Sequence, residues 1–224
     1  MLNRSVILLS GGLDSVVALG AFKEEYGIEL ALTFDYGQKS KNAEIEASSN
    51  ICKYYGIKHK VIRLDWLKEI TNTALVSDDK LPEDDFGTRR SMESVWVPNR
   101  NALFLNIAAA FCDSYGYNCI IFGANKDEGA TFSDNTENFR RLISDVFECS
   151  TLVKPRVIAP LINCTKNDIV KIAMEKSVPL EFVRSCYSDD KGIHCGKCES
   201  CLHLKRALEE NNCYRYLDIL FKRR

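Results

Sequence analysis

The chain has 224 residues, with 30 Lys and Arg against 31 Asp and Glu, 46% hydrophobic and 27% charged content, which are ordinary globular values for one α/β domain with a small appendage. A formal net charge of −1 supplies no long-range attraction for nucleic acid and argues against an RNA-modifying role. With no secretory leader and no long apolar run, the expected location is the cytosol, away from any membrane.

The apolar run Val6-Ile7-Leu8-Leu9 predicts a first strand at about residues 5–9, and Ser10-Gly11-Gly12-Leu13-Asp14-Ser15 follows it directly. Glycines without Cβ atoms let backbone N–H groups approach an anion closely and tolerate positive φ. The hydroxyls of Ser10 and Ser15 add donors, and the helix that follows starts with its positive end at the same spot. The pattern is a phosphate cradle. It lacks the Lys of a Walker loop and the third Gly of a dinucleotide fingerprint. The helix behind it carries Val16, Leu19, Phe22 and Tyr26 on one side.

A second strand, Leu30–Asp35, ends in Asp35-Tyr36-Gly37-Gln38; a helix Lys41–Tyr55 and a third strand Lys58–Leu64 follow. This βαβαβ order predicts a parallel sheet with helices on both faces and ligands at the C-terminal strand ends. From residue 65 to 94 the periodicity fades and the stretch reads as a polar loop or flap. Val97-Pro98-Asn99-Arg100-Asn101 then opens a helix running to Tyr115. The fourth strand, Cys119–Phe122, ends at Gly123-Ala124-Asn125, and Phe139, Leu142, Ile143, Val146 and Phe147 predict a helical core stripe. A fifth strand, Arg156–Ile158, precedes Thr165-Lys166-Asn167-Asp168, which has the spacing of a capping box. A last helix carrying Leu204 and Leu208 closes the chain.

Six of the ten cysteines are scattered in apolar or helical contexts and read as buried free thiols. Cys186, Cys195, Cys198 and Cys201 are different: they form C-x8-C-x2-C-x2-C. Cys-x2-Cys steps wrap backbone amides around a metal while thiolates converge at about 2.3 Å. Four thiolates make the closed structural zinc arrangement, with His194 as a neighbour; an iron–sulfur cluster and a redox or sulfur-transfer pair are the other readings of the same spacing.

The cradle resembles the pyrophosphate loop of the N-type ATP pyrophosphatases, which split ATP to AMP and pyrophosphate to activate an oxygen atom. Taken together, SGGLDS, DYGQ, VPNRN, the GAN segment, the Pro-Leu…Thr-Lys helix start and Ser185-Cys186-Tyr187 before Cys-Gly-x-Cys-x-x-Cys resemble the 7-cyano-7-deazaguanine synthases of that superfamily over almost the whole chain. Two departures stand out. Phe132-Ser133-Asp134 lacks the Pro expected between aromatic and acid, and Asn135 stands where many relatives carry Cys.

The resemblance implies an adenine nucleotide alpha-hydrolase-like, Rossmann-like α/β domain over residues 1–180, with a zinc-binding helical segment over residues 181–224 packed on it. It implies that 7-carboxy-7-deazaguanine, ammonia and ATP give the nitrile through adenylated acid and amide, with Mg²⁺ required. Leu9, Ser10, Gly11, Gly12, Leu13, Asp14 and Ser15 would hold the nucleotide. Ser10, Asp14 and Ser15, with the cations Arg100 and Lys166, would serve catalysis. Glu128, Phe132 and Asp134 would recognise the base, a helix N-cap being the other reading of Asp134. Cys186, Cys195, Cys198 and Cys201 would hold one structural zinc. At this length a fused glutaminase has no room, so free ammonium is the expected nitrogen source, without a partner subunit, in a homodimer. A tRNA-thiolating ATP pyrophosphatase, a different amide-forming ligase of the superfamily such as an NAD or GMP synthetase type, and a non-enzyme nucleotide sensor or zinc-stapled interaction module are the competing readings.

Overall fold

The computed structural model describes the backbone of residues 3–77, 79–81, 89–188 and 193–221. In chain order the elements are β1 (Ser5–Leu8), α1 (Leu13–Tyr26), β2 (Ile28–Asp35), α2 (Lys41–Tyr55), β3 (Lys58–Arg63), α3 (Asp65–Glu69), α4 (Arg89–Val95) and α5 (Arg100–Tyr115). They continue with β4 (Cys119–Ile121), α6 (Lys126–Gly129), a 3₁₀ turn Ser133–Asn135, α7 (Glu137–Ser150), β5 (Arg156–Ile158), α8 (Lys166–Glu175), a 3₁₀ turn Leu180–Phe182, α9 (Glu199–Glu210) and α10 (Tyr214–Phe221).

Among the described residues, five strands form one sheet in the order β3-β2-β1-β4-β5, every neighbouring pair parallel. Side chains alternate across it. Ile7, Ala31, Cys119 and Ile121 pack under α1, α8 and α9, whose Leu204, Ala207 and Leu208 join the same core. Val6, Leu30, Leu32, Ile120 and Val157 face the other way, onto Leu105 and Ala108 of α5 and Phe147 of α7. β1, buried on both faces, must therefore be apolar at successive positions, which is why it reads as a continuous run. β3 is an edge strand, with Lys58, Lys60 and Arg63 exposed.

Three expectations change. Short helices, α3 and α4, occupy both ends of the stretch read as loop; Ser77 and Asp79 are described there, and the acidic run at 82–85 lies outside the described residues. The α7 stripe is only half core: Ile143 and Phe147 are buried, but Leu142 and Val146 are 48% and 49% exposed. α7 packs on β5, the last strand of the sheet, so only one flank of its apolar face meets the core. The chain closes with two helices, since Asn211 caps α9 and Asn212, at a φ of 56°, breaks what reads as a single amphipathic segment.

Strand order reverses between β1 and β4. Connections leave the two strands in opposite directions there, opening a crevice at their C-terminal ends. SGGLDS leaves β1 and Gly123-Ala124-Asn125 leaves β4, so both motifs border that crevice. Gly123 is required by this approach: a Cβ there would lie 2.8 Å from the Ser15 nitrogen and 3.0 Å from the Asp14 carbonyl carbon.

Candidate active site

A cavity of about 460 Å³ opens at the crevice. Leu9, Ser10, Gly12, Leu13, Asp14 and Ser15 line it, as do Arg100, Glu128, Phe132, Asp134 and Lys166. Gly11 alone of the loop residues turns away, packing on α2, where a Cβ would come 2.8 Å from that of Ala47; its φ of +77° is the left-handed conformation glycine adopts freely.

The loop is held from several sides. Thr33 and Ser48 hydroxyls donate to the Leu9 carbonyl at 2.6 and 3.2 Å. Ser10 and Ser15 hydroxyls lie 3.2 Å apart, and Ser15 donates to the Gly12 carbonyl at 3.0 Å. Gly12, at the head of α1, has no side chain to cap the helix. The Leu13 N–H instead donates to the Ser185 hydroxyl at 3.2 Å, and the Arg184 N–H donates to the Gly11 carbonyl at 2.7 Å.

Lys166, first residue of α8, crosses the crevice. Its Nζ lies 2.6 Å from Asp14 Oδ2 and 2.7 Å from Glu128 Oε1, and its backbone N–H donates to Asp127 at 2.7 Å. The capping box forms as expected, Thr165 and Asp168 exchanging bonds, and fixes the turn from which Lys166 projects. Burial disfavours the Lys166 charge, but the two carboxylates outweigh it and raise its pKa. Burial also opposes ionisation of Glu128, where the Lys166 contact wins and lowers the pKa. At Asp14 burial is stronger than the pull of Lys166 and pushes the carboxyl up to about 6. Asp14 Oδ1 is buried without a hydrogen-bond partner.

Across the cavity Arg100 is half-buried, its charge sustained against desolvation by Tyr36, Asp134 and Glu128. Asp134 sits in the 3₁₀ turn before α7, pushed up by burial against the pull of Arg100, and its Oδ1 accepts from Asn135 at 3.2 Å. It is not the helix cap: Thr136 is, accepting the Phe139 N–H at 3.2 Å. The Phe132 ring lies parallel to Trp96, 12° between planes and 6.2 Å between centroids.

Cavity residues that the sequence reading did not assign include Tyr36, Glu44, Trp96, Arg184, Ser185 and Tyr187. Tyr36 belongs to a motif already noted at a strand end, and Ser185 and Tyr187 flank the first clustered cysteine. Glu44 on α2 and Trp96 just after α4 carried no signal, because only the fold brings those positions to the cavity.

The four clustered cysteines do not line the cavity, but their Sγ atoms all lie within 4.8 Å of one another. A tetrahedral ion with arms of about 2.3 Å requires sulfur–sulfur edges of about 3.8 Å, and Cys195 Sγ and Cys201 Sγ are 3.8 Å apart. Backbone N–H groups of Cys195 and Ser188 point at Cys186 Sγ, and those of Lys197 and Cys198 at Cys195 Sγ, at 3.3–3.4 Å. The donor set and its spacing fit one metal ion. His194 is not among the ligands: its Nε2 accepts the Ser185 N–H at 3.1 Å.

Sheet order, loop and crevice define an α/β protein of the PP-loop ATPase class. The crystal structure of a 4-thiouridine synthetase–RNA complex with bound ATP has the same fold, at a TM-score of 0.51 and 18% identity, over 97% of this chain and 51% of that one. More specifically, residues 4–212 match the model of the family described as Queuosine biosynthesis protein QueC, and the chain belongs to that family. It is 43% identical over 217 residues to the 7-cyano-7-deazaguanine synthase of Methanosarcina barkeri, covering 92% of this chain and 94% of the relative. To that of Carboxydothermus hydrogenoformans it is 44% identical over 212 residues, covering 92% and 98%. The chain is thus an enzyme, a ligase of the ATP-dependent, C–N-bond-forming kind. Among the described residues no helix is long and apolar enough to cross a membrane.

Proposed function

We propose that the protein makes 7-cyano-7-deazaguanine from 7-carboxy-7-deazaguanine, ammonia and ATP. A carboxylate oxygen is a poor leaving group. Attack by that oxygen on the α-phosphorus of ATP releases pyrophosphate and leaves an acyl adenylate; ammonia then displaces AMP to give the amide and a proton. A second ATP adenylates the amide oxygen, releasing a second pyrophosphate. Loss of AMP and of both amide N–H protons yields the nitrile. No covalent enzyme nucleophile is required, so positioning and charge stabilisation carry the chemistry.

The observation that carries this reading is the convergence of Ser10–Ser15, Lys166 and Arg100 on one cavity that also holds Phe132, Asp134 and Glu128. Ser10, Gly12, Leu13 and Ser15 hold the departing pyrophosphate, Gly11 makes the turn they need, and Leu9 packs the strand end beneath them. Lys166 and Arg100 offset developing phosphate charge. Phe132 meets the flat face of the base, and Asp134 and Glu128 accept its N–H edge. The orphaned Asp14 Oδ1, an anionic oxygen, suits a hard cation, so Asp14 would hold Mg²⁺, which screens the phosphate charge when bound. Cys186, Cys195, Cys198 and Cys201 would hold one zinc with no open position, a staple for residues 181–224 on the 1–180 domain. Near-neutral charge supports small-molecule substrates over RNA. We assign free ammonium as nitrogen source without a glutaminase, a homodimeric state and a cytoplasmic location.

Purified protein incubated with ATP, Mg²⁺, ammonium and the carboxy base, and followed by mass spectrometry, tests the reading. A nitrile with stoichiometric AMP is expected; AMP formation without nitrile would reassign the base, and no ATP cleavage would reject the activity.

A further inference from the structure

The segment folded by the cysteine cluster is a wall of the nucleotide site. Ser185, immediately before Cys186, caps α1 from 172 positions away, its Oγ accepting the Leu13 N–H at 3.2 Å. An oxygen accepting from Leu13 keeps its own proton to donate, and Ser185 lines the cavity. Arg184 is 5% exposed. It is anchored by its backbone N–H on the Gly11 carbonyl at 2.7 Å and by Nη2 on the Ser188 carbonyl at 2.8 Å, and it lines the same cavity.

His194, immediately before Cys195, fixes this pair. Its Nε2 accepts the Ser185 N–H at 3.1 Å, so its proton sits on Nδ1, which faces the Leu220 carbonyl at 3.2 Å; its backbone N–H reaches the same carbonyl at 3.0 Å. The imidazole is 3% exposed and packs on the Phe221 ring, centroids 4.9 Å apart. Cys186 and Cys195 are thus each one residue from a group that holds the loop.

Charge favours the arrangement. Lys166 is committed to Asp14 and Glu128, three groups that sum to −1 when all are ionised. Pyrophosphate is a multiply charged anion, and Arg184 is a cation tied to the loop backbone.

We propose that Arg184 and Ser185 bind the pyrophosphate of ATP, the first as cation and the second as hydroxyl donor. His194 acts as the positioning residue, so metal at the cysteine cluster and pyrophosphate at the loop bind cooperatively. This rests on the ATP-splitting half of the proposed function and not on the identity of the base. Coupling of this kind is reciprocal: whatever factor metal adds to pyrophosphate affinity, pyrophosphate adds to metal retention.

The test uses metal-loaded protein, titrated with inorganic pyrophosphate by calorimetry, and zinc release to a coloured chelator. Ser185→Ala is expected to keep wild-type zinc content and melting temperature while weakening pyrophosphate about tenfold, the loss of one hydrogen bond to a charged group; Ser185→Thr restores it. Arg184→Ala weakens it further. His194→Phe, which keeps the packing on Phe221 and loses the acceptor, raises KM for ATP more than it lowers kcat. Saturating pyrophosphate slows zinc release from the wild type severalfold. Wild-type pyrophosphate affinity in both Ser185→Ala and Arg184→Ala, or zinc release indifferent to pyrophosphate, overturns the proposal. Wild-type protein that binds no pyrophosphate overturns it together with the ATP-splitting reading. Protein that binds pyrophosphate and splits ATP but makes no nitrile rejects only the assignment of the base.

Discussion

Lys166 Nζ lies 2.6 Å from Asp14 Oδ2 although 152 positions separate them in the chain. One residue opens α8 and the other sits in the first turn of α1, and the pair closes the crevice beside the loop. Without the ammonium, Asp14 and Glu128 would face an incoming triphosphate with their charge unopposed. Lys166→Met is therefore expected to lower kcat/KM for ATP by about 10²–10³, the scale of removing one preorganised charge-stabilising group. Asp14→Asn combined with Lys166→Met should cost little more than the worse single variant, because contacting residues are not additive. Steady-state kinetics on the three proteins decides; a few-fold effect in Lys166→Met would remove its catalytic role.

The base-recognition assignment is tested at Asp134. Its carboxyl accepts from Asn135 and faces the cavity beside Arg100. A site that hydrogen-bonds a polar edge discriminates strongly when the partner is lost. Asp134→Asn is expected to lower kcat/KM for the carboxy base by about 10², with KM for ammonium unchanged. Trp96 lines the cavity while Trp66 is 47% exposed on α3, so binding of the base should also change the emission of Trp96, and Trp96→Phe should abolish that change. Retained kcat/KM in Asp134→Asn would leave the acid without a recognition role.

Much of the architecture was legible because each strand end carries its own punctuation. The glycine loop, DYGQ and GAN mark where chain leaves the sheet, and the Thr165–Asp168 box marks where α8 begins. Lys166 was legible for the same reason, being tied to that box. What escaped depends on placement rather than pattern. Leu142 and Val146 keep helical spacing with Ile143 and Phe147, and only the position of α7 on an edge strand decides that half the stripe meets solvent. Arg184 and Ser185 precede the cysteine cluster, where the metal spacing dominates the reading; that the same segment reaches back to Gly11 and Leu13 is a tertiary fact.

Close approach at Gly123 makes a packing prediction. Because the atoms a Cβ would meet at 2.8–3.0 Å belong to the α1 backbone, the strain cannot be relieved by a side-chain rotation. Gly123→Ala should destabilise the fold by about 1–3 kcal/mol and displace the first turn of α1, reducing ATP turnover as well. Thermal melts alongside kinetics read both effects. A variant with wild-type melting temperature and turnover would show that the two loops do not touch as described.

Titration of Asp14 gives a pH dependence with a definite sign. Burial raises its pKa to about 6, so the carboxyl is neutral below that pH and ionised above it. Only the ionised form offers Lys166 and a cation a full negative charge. The free-enzyme profile of kcat/KM for ATP should therefore rise with pH through about 6, since that profile reports the free enzyme's essential groups. A profile flat between about pH 5 and 7 would contradict the raised Asp14 carboxyl.

Thiol reactivity separates eight of the ten cysteines into classes. Burial pushes Cys52 and Cys112 up to about 12, leaving essentially no thiolate at neutral pH, and the thiolate is the reactive form. Cys149 is exposed near the end of α7 and Cys164 is half-buried. In metal-loaded protein a disulfide reagent should therefore modify Cys149 at once and Cys164 slowly, sparing Cys52 and Cys112. Cys186, Cys195, Cys198 and Cys201 should stay protected while the ion is bound and become reactive together when a chelator removes it, because a tetrahedral thiolate site loses its geometry as a unit. Peptide mapping by mass spectrometry, with metal content measured on the same samples, follows each class. The zinc assignment predicts colourless protein with one zinc per chain, and cobalt substitution should yield the visible absorption of a four-thiolate site. Brown protein carrying iron and sulfide would transfer the four cysteines to a cluster, and early labelling of any one of them in metal-loaded protein would remove it from the ligand set.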